Sequence, residues 1–510
     1  MIISISLSLI TVLVLVLIRF IYKAIWLPFR VQRMLRSQGI TGPSYKIVHG
    51  TTKESMILRL EAMKGPMELS HDIFPKIQPQ FYQWMKLYGK NFVTWTGPQP
   101  HVVITEPEIA KEILTNREGI FLKIKSRGNV KKLLGDGLVL AEGAKWLKLR
   151  KLANHAFYAE SLKEMIPAMI ASVETMLHNW RQYEGKEIEV FQEFKVMTSE
   201  VISRTAFGSS YLEGKNIFDM LTALGFILFK NVDKIRPFEK IWKTRDDVES
   251  DRIEQSLRDS AMAILRKREE TVITGKSQDY GTDFLGALLR VHHDSDKNNR
   301  ISVDDVIDEC KVFFLAGHET TSSLLSWTFV LLSIHKDWQE NARKEVLELF
   351  GSHQNPTAEG LPRLKKVSMI INETLRLYSP VTSLVRRGTR RVRLGKYEFP
   401  ANMEFHIPPL ALHRDHEIWG DDAHLFKPER FAEGVAAATR NNPMAFLPFG
   451  YGPRTCVGLN FASNEIKIAL SMILQRYEFS LSPNYVHFPM SVITTRPQCG
   501  VQIVLQPLRL

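Results

Sequence analysis

The sequence predicts a mainly α-helical chain with small β-sheets, preceded by one N-terminal helix long enough to cross a bilayer. Three observations lead there. Residues 1–18 are apolar except for serines and one threonine, which is the length and composition of a membrane-crossing helix. From residue 160 to 289, and again from 302 to about 335, apolar side chains recur at the i, i+3, i+4 spacing of helices. Strand-type alternation is confined to short stretches, of which residues 91–107, NFVTWTGPQPHVVITEP, are the clearest and read as a hairpin.

The chain has 510 residues, 44% hydrophobic and 24% charged, which is ample material for a packed core. Sixty-seven Lys and Arg against 55 Asp and Glu leave a net charge of +12. Such an excess points to an acidic partner, a membrane surface or nucleic acid. Nucleic acid is the weakest of these, because no basic repeat, zinc-finger spacing or aromatic RNA-binding signature accompanies the charge. The three cysteines, Cys310, Cys456 and Cys499, form no C-x-x-C pair, so a disulfide framework is not expected and a reducing compartment is.

The apolar run has no positive residue before it and no small-residue cleavage pattern after it, unlike a secretory signal. Arg19, Lys23, Arg30, Arg33 and Arg36 follow, and the positive-inside tendency places the rest of the chain in the cytosol. We read residues 1–20 as a single-pass anchor, 21–50 as a basic linker punctuated by Gly and Pro that lets the body swing, and 51–510 as the globular domain. Residues 117–139 read as loop and short helix. Trp146 and Arg150 stand four apart in GAKWLKLRKLANHAF, so both donors face the same way on a helix. Lys145, Lys148 and Lys151 decorate that helix as a docking face for an acidic electron donor or as a solvated surface. The run GFILF, residues 225–229, is more apolar than its neighbours and is expected in the core, with a channel roof or a membrane contact as the other readings.

Ser302 and Asp305 form a capping-box start for the longest helix, a rod of about 50 Å. Its middle reads Ala316-Gly317-His318-Glu319-Thr320-Thr321. Two small residues leave room for something pressed against the backbone, and a Thr hydroxyl can bond back to the carbonyl four residues earlier and loosen the ladder. Glu373 and Arg376 lie three apart on one helix face, and Arg430 follows in FKPERF. Asn372 opens a formal glycosylation sequon, placed inside a helix where it is not expected to be used.

Residues 449–458 read FGYGPRTCVG. Gly450, Gly452 and Gly458 permit tight curvature, Pro453 fixes one φ, and Arg454 sets a positive charge two residues from the Cys456 sulfur. A glycine-bracketed loop with a nearby cation suits a metal-bound thiolate. A helix over residues 463–476 and a strand-like C-terminus follow.

The loop matches Phe-x-x-Gly-x-Arg-x-Cys-x-Gly at Phe449, Gly452, Arg454, Cys456 and Gly458, and it resembles the heme loop of the cytochrome P450 monooxygenases. A-G-x-E-T-T, with Thr320 lying 136 residues before Cys456, resembles that family's oxygen-activating signature. E-x-x-R with P-E-R-F and W-x-x-x-R resemble two further family motifs. The resemblance spans the chain, implies the family's triangular, mainly α body, and makes residues 51–510 a heme-thiolate catalytic domain. It implies Cys456 as axial thiolate of heme b, shielded by Phe449, with Ala316 beside it. It implies propionate contacts from Trp146, Arg150, Arg454 and Arg386 or its neighbour Arg387. Thr320 would hydrogen-bond dioxygen, Glu319 would relay protons, and Glu373, Arg376 and Arg430 would form a structural network. Residues 381–384 and 491–494 would wall the substrate pocket.

The function implied is NADPH- and O2-dependent insertion of one oxygen atom into a C–H bond of a hydrophobic small molecule. No G-x-G-x-x-G loop follows a strand, so electrons are expected from a separate flavoprotein, an NADPH-cytochrome P450 reductase, at the endoplasmic reticulum membrane with the catalytic domain in the cytosol. GITGP with HRDHEIWGDDAHLFKPERFAEGV is similar to the plant clan that includes secologanin synthase and the brassinosteroid-inactivating hydroxylases, which suggests a terpenoid or steroid-like plant metabolite or hormone. A heme-thiolate isomerase or dehydratase and a non-catalytic heme-binding protein are the other readings. Glu319 and Thr320 speak against both.

Overall fold

The computed structural model describes residues 2–125, 128–231 and 242–508. Met1, residues 126–127 of the segment expected as loop, residues 232–241 of the segment expected as helical, and the last two residues lie outside that set.

The N-terminal helix Ile2–Ile21 passes through a π-helical stretch, Tyr22–Trp26, and continues as Leu27–Ser37. The apolar span from Leu7 to Ser37 has a mean hydropathy of 2.2 over its most apolar window, of which only 6% is buried; the core helix of a water-soluble body would be covered instead. Residues 22–37, inside the expected linker, are therefore helical. Leu27–Ser37 buries Val31, Gln32 and Leu35 in a cluster with Tyr45, Trp95 and Ile104. Tyr45 donates its hydroxyl to the Ala24 carbonyl at 2.7 Å, within the turn where the π-helical register displaces the ordinary ladder. Gly and Pro in this segment read as slack, but the aromatic contact docks the helix on the body.

The predicted hairpin forms, Asn91–Thr96 against Gln99–Ile104, in the register Asn91↔Ile104. It is the edge of a five-stranded sheet. Gln99–Ile104 pairs in parallel with Glu404–Ile407, which pairs with Leu384–Gly388, which pairs with Phe121–Leu122. The last strand lies in the segment read as loop and short helix; the short helix is there too, at Gly128–Leu134. Three smaller sheets accompany it, one joining Glu187–Glu189, Gln502–Pro507 and Tyr477–Leu481.

The rest is helical, as the periodicity predicts: Ala159–Trp180, Val190–Phe207, Tyr211–Asn231, Arg245–Ile273 and Phe284–His292 precede the central helix, Val303–Ile334. Its start carries the predicted capping box, with Asp305 N–H on Ser302 Oγ at 3.1 Å and Ser302 N–H on Asp305 Oδ2 at 2.9 Å. This helix runs through the main core, burying Phe314, Trp327, Phe329 and Leu332 completely. The small residue Gly317 is explained by packing: a Cβ there would come within 2.7 Å of the Ile202 side chain on Val190–Phe207. The GFILF run lies in Tyr211–Asn231, where Gly225 lets the Ile493 side chain close on the backbone.

Candidate active site

One side of the central helix opens on a cavity of about 390 Å3, and the cysteine loop forms its opposite wall. Trp146, Arg150, Ala316, Thr320, Arg386, Phe449, Arg454 and Cys456 all line it. These residues come from three separate elements and the loop, so folding gathers what the sequence scatters.

The loop is shaped by its glycines. Gly450 and Gly452 have φ of +69° and +73°, left-handed values that favour glycine, and a Cβ on Gly452 would strike the Leu114 carbonyl. Cys456 N–H donates to Phe449 O at 2.9 Å, which turns the sulfur into the cavity. The side chain is exposed, but to the cavity rather than to the outer surface. Surrounding protein still raises the thiol pKa by desolvation, while the Gly458 N–H and Arg150 lower it. Arg150 Nη1 donates to Thr455 O at 2.6 Å and so braces the loop.

Four cations crowd the same wall. Arg454 pairs with Glu142 at 2.6 Å and lies over the Trp146 ring at 4.2 Å, while its Nη1 is buried with no hydrogen-bond partner among the described residues. Arg386 is 5% exposed and, among the described residues, bonds only its neighbour's carbonyl, that of Val385, at 2.9 Å. Burial and then Arg454 push its pKa down to about 10. Lys123 fares worse, pushed down to about 7 by burial, Arg386 and Arg454, with Glu142 opposing. Arg150 completes the set, its pKa also lowered by burial. One carboxylate, Glu142, serves this group, and its other oxygen is taken by Lys123 N–H at 2.6 Å. A buried cation cluster with one carboxylate among the described residues could hold further carboxylates from a bound group.

Strand alternation separates the two neighbouring arginines. Arg386 faces the cavity, whereas Arg387 bonds Glu404 on the adjacent strand. On the helical wall, Thr320 Oγ1 donates to Ala316 O at 2.7 Å, the back-bond expected from the sequence, and the helix stays continuous through it. Glu319 is the one expected site residue that does not reach the cavity. One residue along a helix is a rotation of about 100°, and Glu319 is buried on the far side, accepting from Thr494 Oγ1 at 3.3 Å with Arg496 Nη1 at 3.9 Å. Residues 491–494 follow it there: Thr494 meets Glu319 behind the helix, and the segment does not line the cavity. Pro380, Val381, Ser383 and Leu384 do line it.

Behind the cysteine loop, Arg376 holds Glu373 through two 2.7 Å bonds and donates to the carbonyls of His413, Ala423 and Leu425. Arg430 Nε stands 3.5 Å from Glu373, and its Nη atoms bond Trp419 O and Asp422. The His413 ring then links this network to the loop: Nε2 accepts Leu447 N–H at 2.9 Å and Nδ1 donates to Arg376 O at 3.2 Å. Acceptance by Nε2 needs the neutral ring with its proton on Nδ1, and burial lowers the ring's pKa to about 3. Sequence reasoning missed His413, Lys123 and Glu142. Of the three surface lysines, Lys145 bridges Asp136 and Asp305, and Lys148 donates to the carbonyls of Asn298, Asn299 and Arg300. Lys151 alone of the three is exposed and has no ion pair among the described residues.

Comparison with known proteins fits the fold and the cysteine loop. The cytochrome P450 family model matches residues 69–500, and the chain belongs to that family of monooxygenases. It is 55% identical over 495 residues to cytochrome P450 CYP749A22 of Panax ginseng, covering 96% of this chain and 94% of that one. It is 43% identical over 498 residues to 11-oxo-beta-amyrin 30-oxidase of Glycyrrhiza uralensis (95% and 94% coverage), and 42% identical over 494 residues to CYP72A616 of Paris polyphylla (95% and 94% coverage). The family implies a heme-thiolate centre supplied with electrons by a reductase. The residues fit such a group: a sulfur faces the cavity, and the four cations lining it share a single carboxylate, Glu142, among the described residues, which leaves them able to hold others.

Proposed function

We propose that this enzyme uses O2 and electrons from NADPH, passed on by a membrane-bound reductase, to hydroxylate a terpenoid or steroid-like plant metabolite. The cofactor is heme b, and the catalytic domain faces the cytosol from the endoplasmic reticulum membrane. The observation that carries the reading is the single cavity in which the Cys456 sulfur, the carboxylate-seeking cations and Thr320 meet. Two relatives named as 11-oxo-beta-amyrin 30-oxidases support a triterpenoid-sized substrate.

The bound heme supplies one-electron and oxygen chemistry, tuned by its thiolate ligand. The protein's share follows from its own residues. Cys456 would ligate the iron, and Lys123, Arg386, Arg454 and Arg150 would take the carboxylates, relieving their mutual repulsion. Because Thr320 gives its own hydrogen to Ala316 O, its lone pairs are left for the cavity, where Oγ1 would accept a hydrogen bond from a water and hold that water in place for proton delivery. Glu319, one residue away and in contact with Thr494 and Arg496, is the nearest acid to that hydroxyl along the chain and serves as the proton source from the rear of the helix. Val381, Leu384, Leu138 and Val312 exclude water from the reacting bond.

The test is the absorbance of the reduced protein with carbon monoxide, in membranes, followed by titration with terpenoids and steroids. A thiolate-type band that is lost in Cys456→Ser, and a spin-state shift with a triterpenoid, are expected. A histidine-type band, or a thiolate band that survives in Cys456→Ser, would overturn the ligand assignment.

A further inference from the structure

Two successive acids on the central helix, Asp308 and Glu309, hold the backbone of a cavity wall. Asp308 Oδ2 accepts Asp136 N–H at 2.8 Å, and Glu309 Oε1 accepts Leu138 N–H at 2.6 Å. Two glycines let the segment lie this close: a Cβ on Gly135, at φ +58°, would strike the Asp308 carboxylate, and one on Gly137 would stand 2.9 Å from Glu309 Oε1. Leu138 and Val139, directly after the clamp, line the cavity, as do Val312 and Phe313, one turn beyond Glu309.

The two acids are not equivalent. Asp308 also has Lys311 at 3.0 Å. Glu309 is fully buried, has no ion pair among the described residues, and its Oε2 has no hydrogen-bond partner among them. A surface clamp or an N-cap would not need a carboxyl in such a place.

We propose that Glu309 is a positioning residue for substrate selection: by holding Leu138 N–H, it sets the width of the cavity between Leu138 and Val139 on one wall and Val312 and Phe313 on the other. The group so selected is an apolar ligand, sorted by girth. The ligand arm of this inference rests on the function proposed above; the clamp itself does not.

Burial pushes the Glu309 pKa up to about 8, with the Leu138 N–H lowering it, Asp308 raising it, Lys145 lowering it and Asp305 raising it. Asp305, Asp308, Cys310 and Lys311 on the central helix, Lys145 on Gly143–Ala156 and Asp136 on the held segment are the titratable groups around it. Below pH 8 the acid is neutral and the contact is dry. Above it, an unpaired charge in the core is relieved by the segment moving out and admitting water. The wall therefore loosens as pH rises through about 8.

The experiment compares wild type, Glu309→Gln and Glu309→Leu in the full chain at pH 6.5 and 9. Hydrogen exchange at the Leu138 amide reads the clamp, and heme-absorbance titration with one slim and one bulky uncharged triazole reads the width. Gln mimics the neutral acid, and Leu removes the acceptor. At pH 6.5, Glu309→Gln should match wild type in both readouts. Glu309→Leu should exchange the Leu138 amide about tenfold faster, the scale of one lost buried hydrogen bond, and should lose its preference for the slim ligand. With exchange expressed as protection relative to the unstructured amide, whose base-catalysed rate itself rises with pH, wild type at pH 9 should resemble Glu309→Leu while Glu309→Gln stays as it was. The proposal is overturned if Glu309→Leu keeps wild-type protection and selectivity, or if wild type and Glu309→Gln change together with pH. A protein with no triazole-shifted heme absorbance would refute the functional reading instead, and the exchange arm would still decide the clamp.

Discussion

Lys123→Gln should have opposite effects on the protein with and without its cofactor. The Lys123 ammonium is pushed from an ordinary 10.5 down to about 7 by burial, Arg386 and Arg454. At ~1.4 kcal/mol per pKa unit, the charged form costs the folded apoprotein up to about 5 kcal/mol; water reaching a side chain of intermediate exposure lowers that toward ~2 kcal/mol. The sign of the pH dependence follows. Between pH 7 and 10.5 the unfolded chain holds this proton and the folded one does not, so stability rises with pH across that window, and the full penalty stands below pH 7. The wild-type apoprotein should therefore gain up to about 2 kcal/mol relative to Lys123→Gln as pH rises from 7 toward 10.5, measured as the difference in urea unfolding free energy. At pH 7 the variant apoprotein should be the more stable of the two. With heme bound, carboxylates neutralise the cluster, and the same substitution removes a charge-assisted bond of about 1.5–3 kcal/mol. Heme transfer to an acceptor protein should then be about 10- to 100-fold faster. If Lys123→Gln destabilises apoprotein and holoprotein alike, or if the stability difference is flat with pH, the cation cluster is not a carboxylate receptor.

Arg376→Ala should cost at least ~3–5 kcal/mol, because it leaves Glu373 buried beside a single partner arginine and strips three carbonyls of their donor; the check is heme content and melting temperature, and wild-type values in both would remove the network from the account. Arg376→Lys should rescue little, since one ammonium cannot reproduce the fork. Thr320→Ala should keep the carbon monoxide band while less product forms per NADPH consumed, and undiminished coupling would take Thr320 out of proton transfer. Acidification should unfold the protein early: His71, His406 and His413 are held near 3 and His487 near 4, chiefly by burial. Between those values and 6.5 the unfolded chain binds protons that the folded chain does not, so stability falls with pH by up to ~1.4 kcal/mol per unit per histidine. A flat stability profile from pH 6.5 to 5 would refute this.

The features legible in the sequence are those written within one turn or one loop. The cysteine loop, the Ser302–Asp305 capping box and the Thr320 back-bond each need only neighbours within about four residues. The rest depended on which face of an element meets which neighbour. Period-2 alternation says that Arg386 and Arg387 point opposite ways, but only the pairing of Arg387 with Glu404 decides which of them enters the cavity. The helical period likewise separates Glu319 from Thr320, and it took Thr494 and Arg496 arriving from the C-terminal hairpin to show that Glu319 turns away. Lys123 was unreadable for a related reason: it follows the two-residue strand Phe121–Leu122, too short for any pattern, and it acquires its role only because that strand pairs with Leu384–Gly388, which carries Arg386.

The same logic gives His413 its importance. The stretch HRDH that begins with it carries a likeness to the plant clan but assigns the ring no role, yet its two ring nitrogens join Arg376 O to Leu447 N–H, two residues before the loop begins at Phe449. The Glu373–Arg376–Arg430 network therefore does more than stiffen a distant meander. Through one neutral imidazole it ties the network to the entry of the cysteine loop, so removing that ring in His413→Phe should disturb the Cys456 sulfur more than the elements the network does not touch.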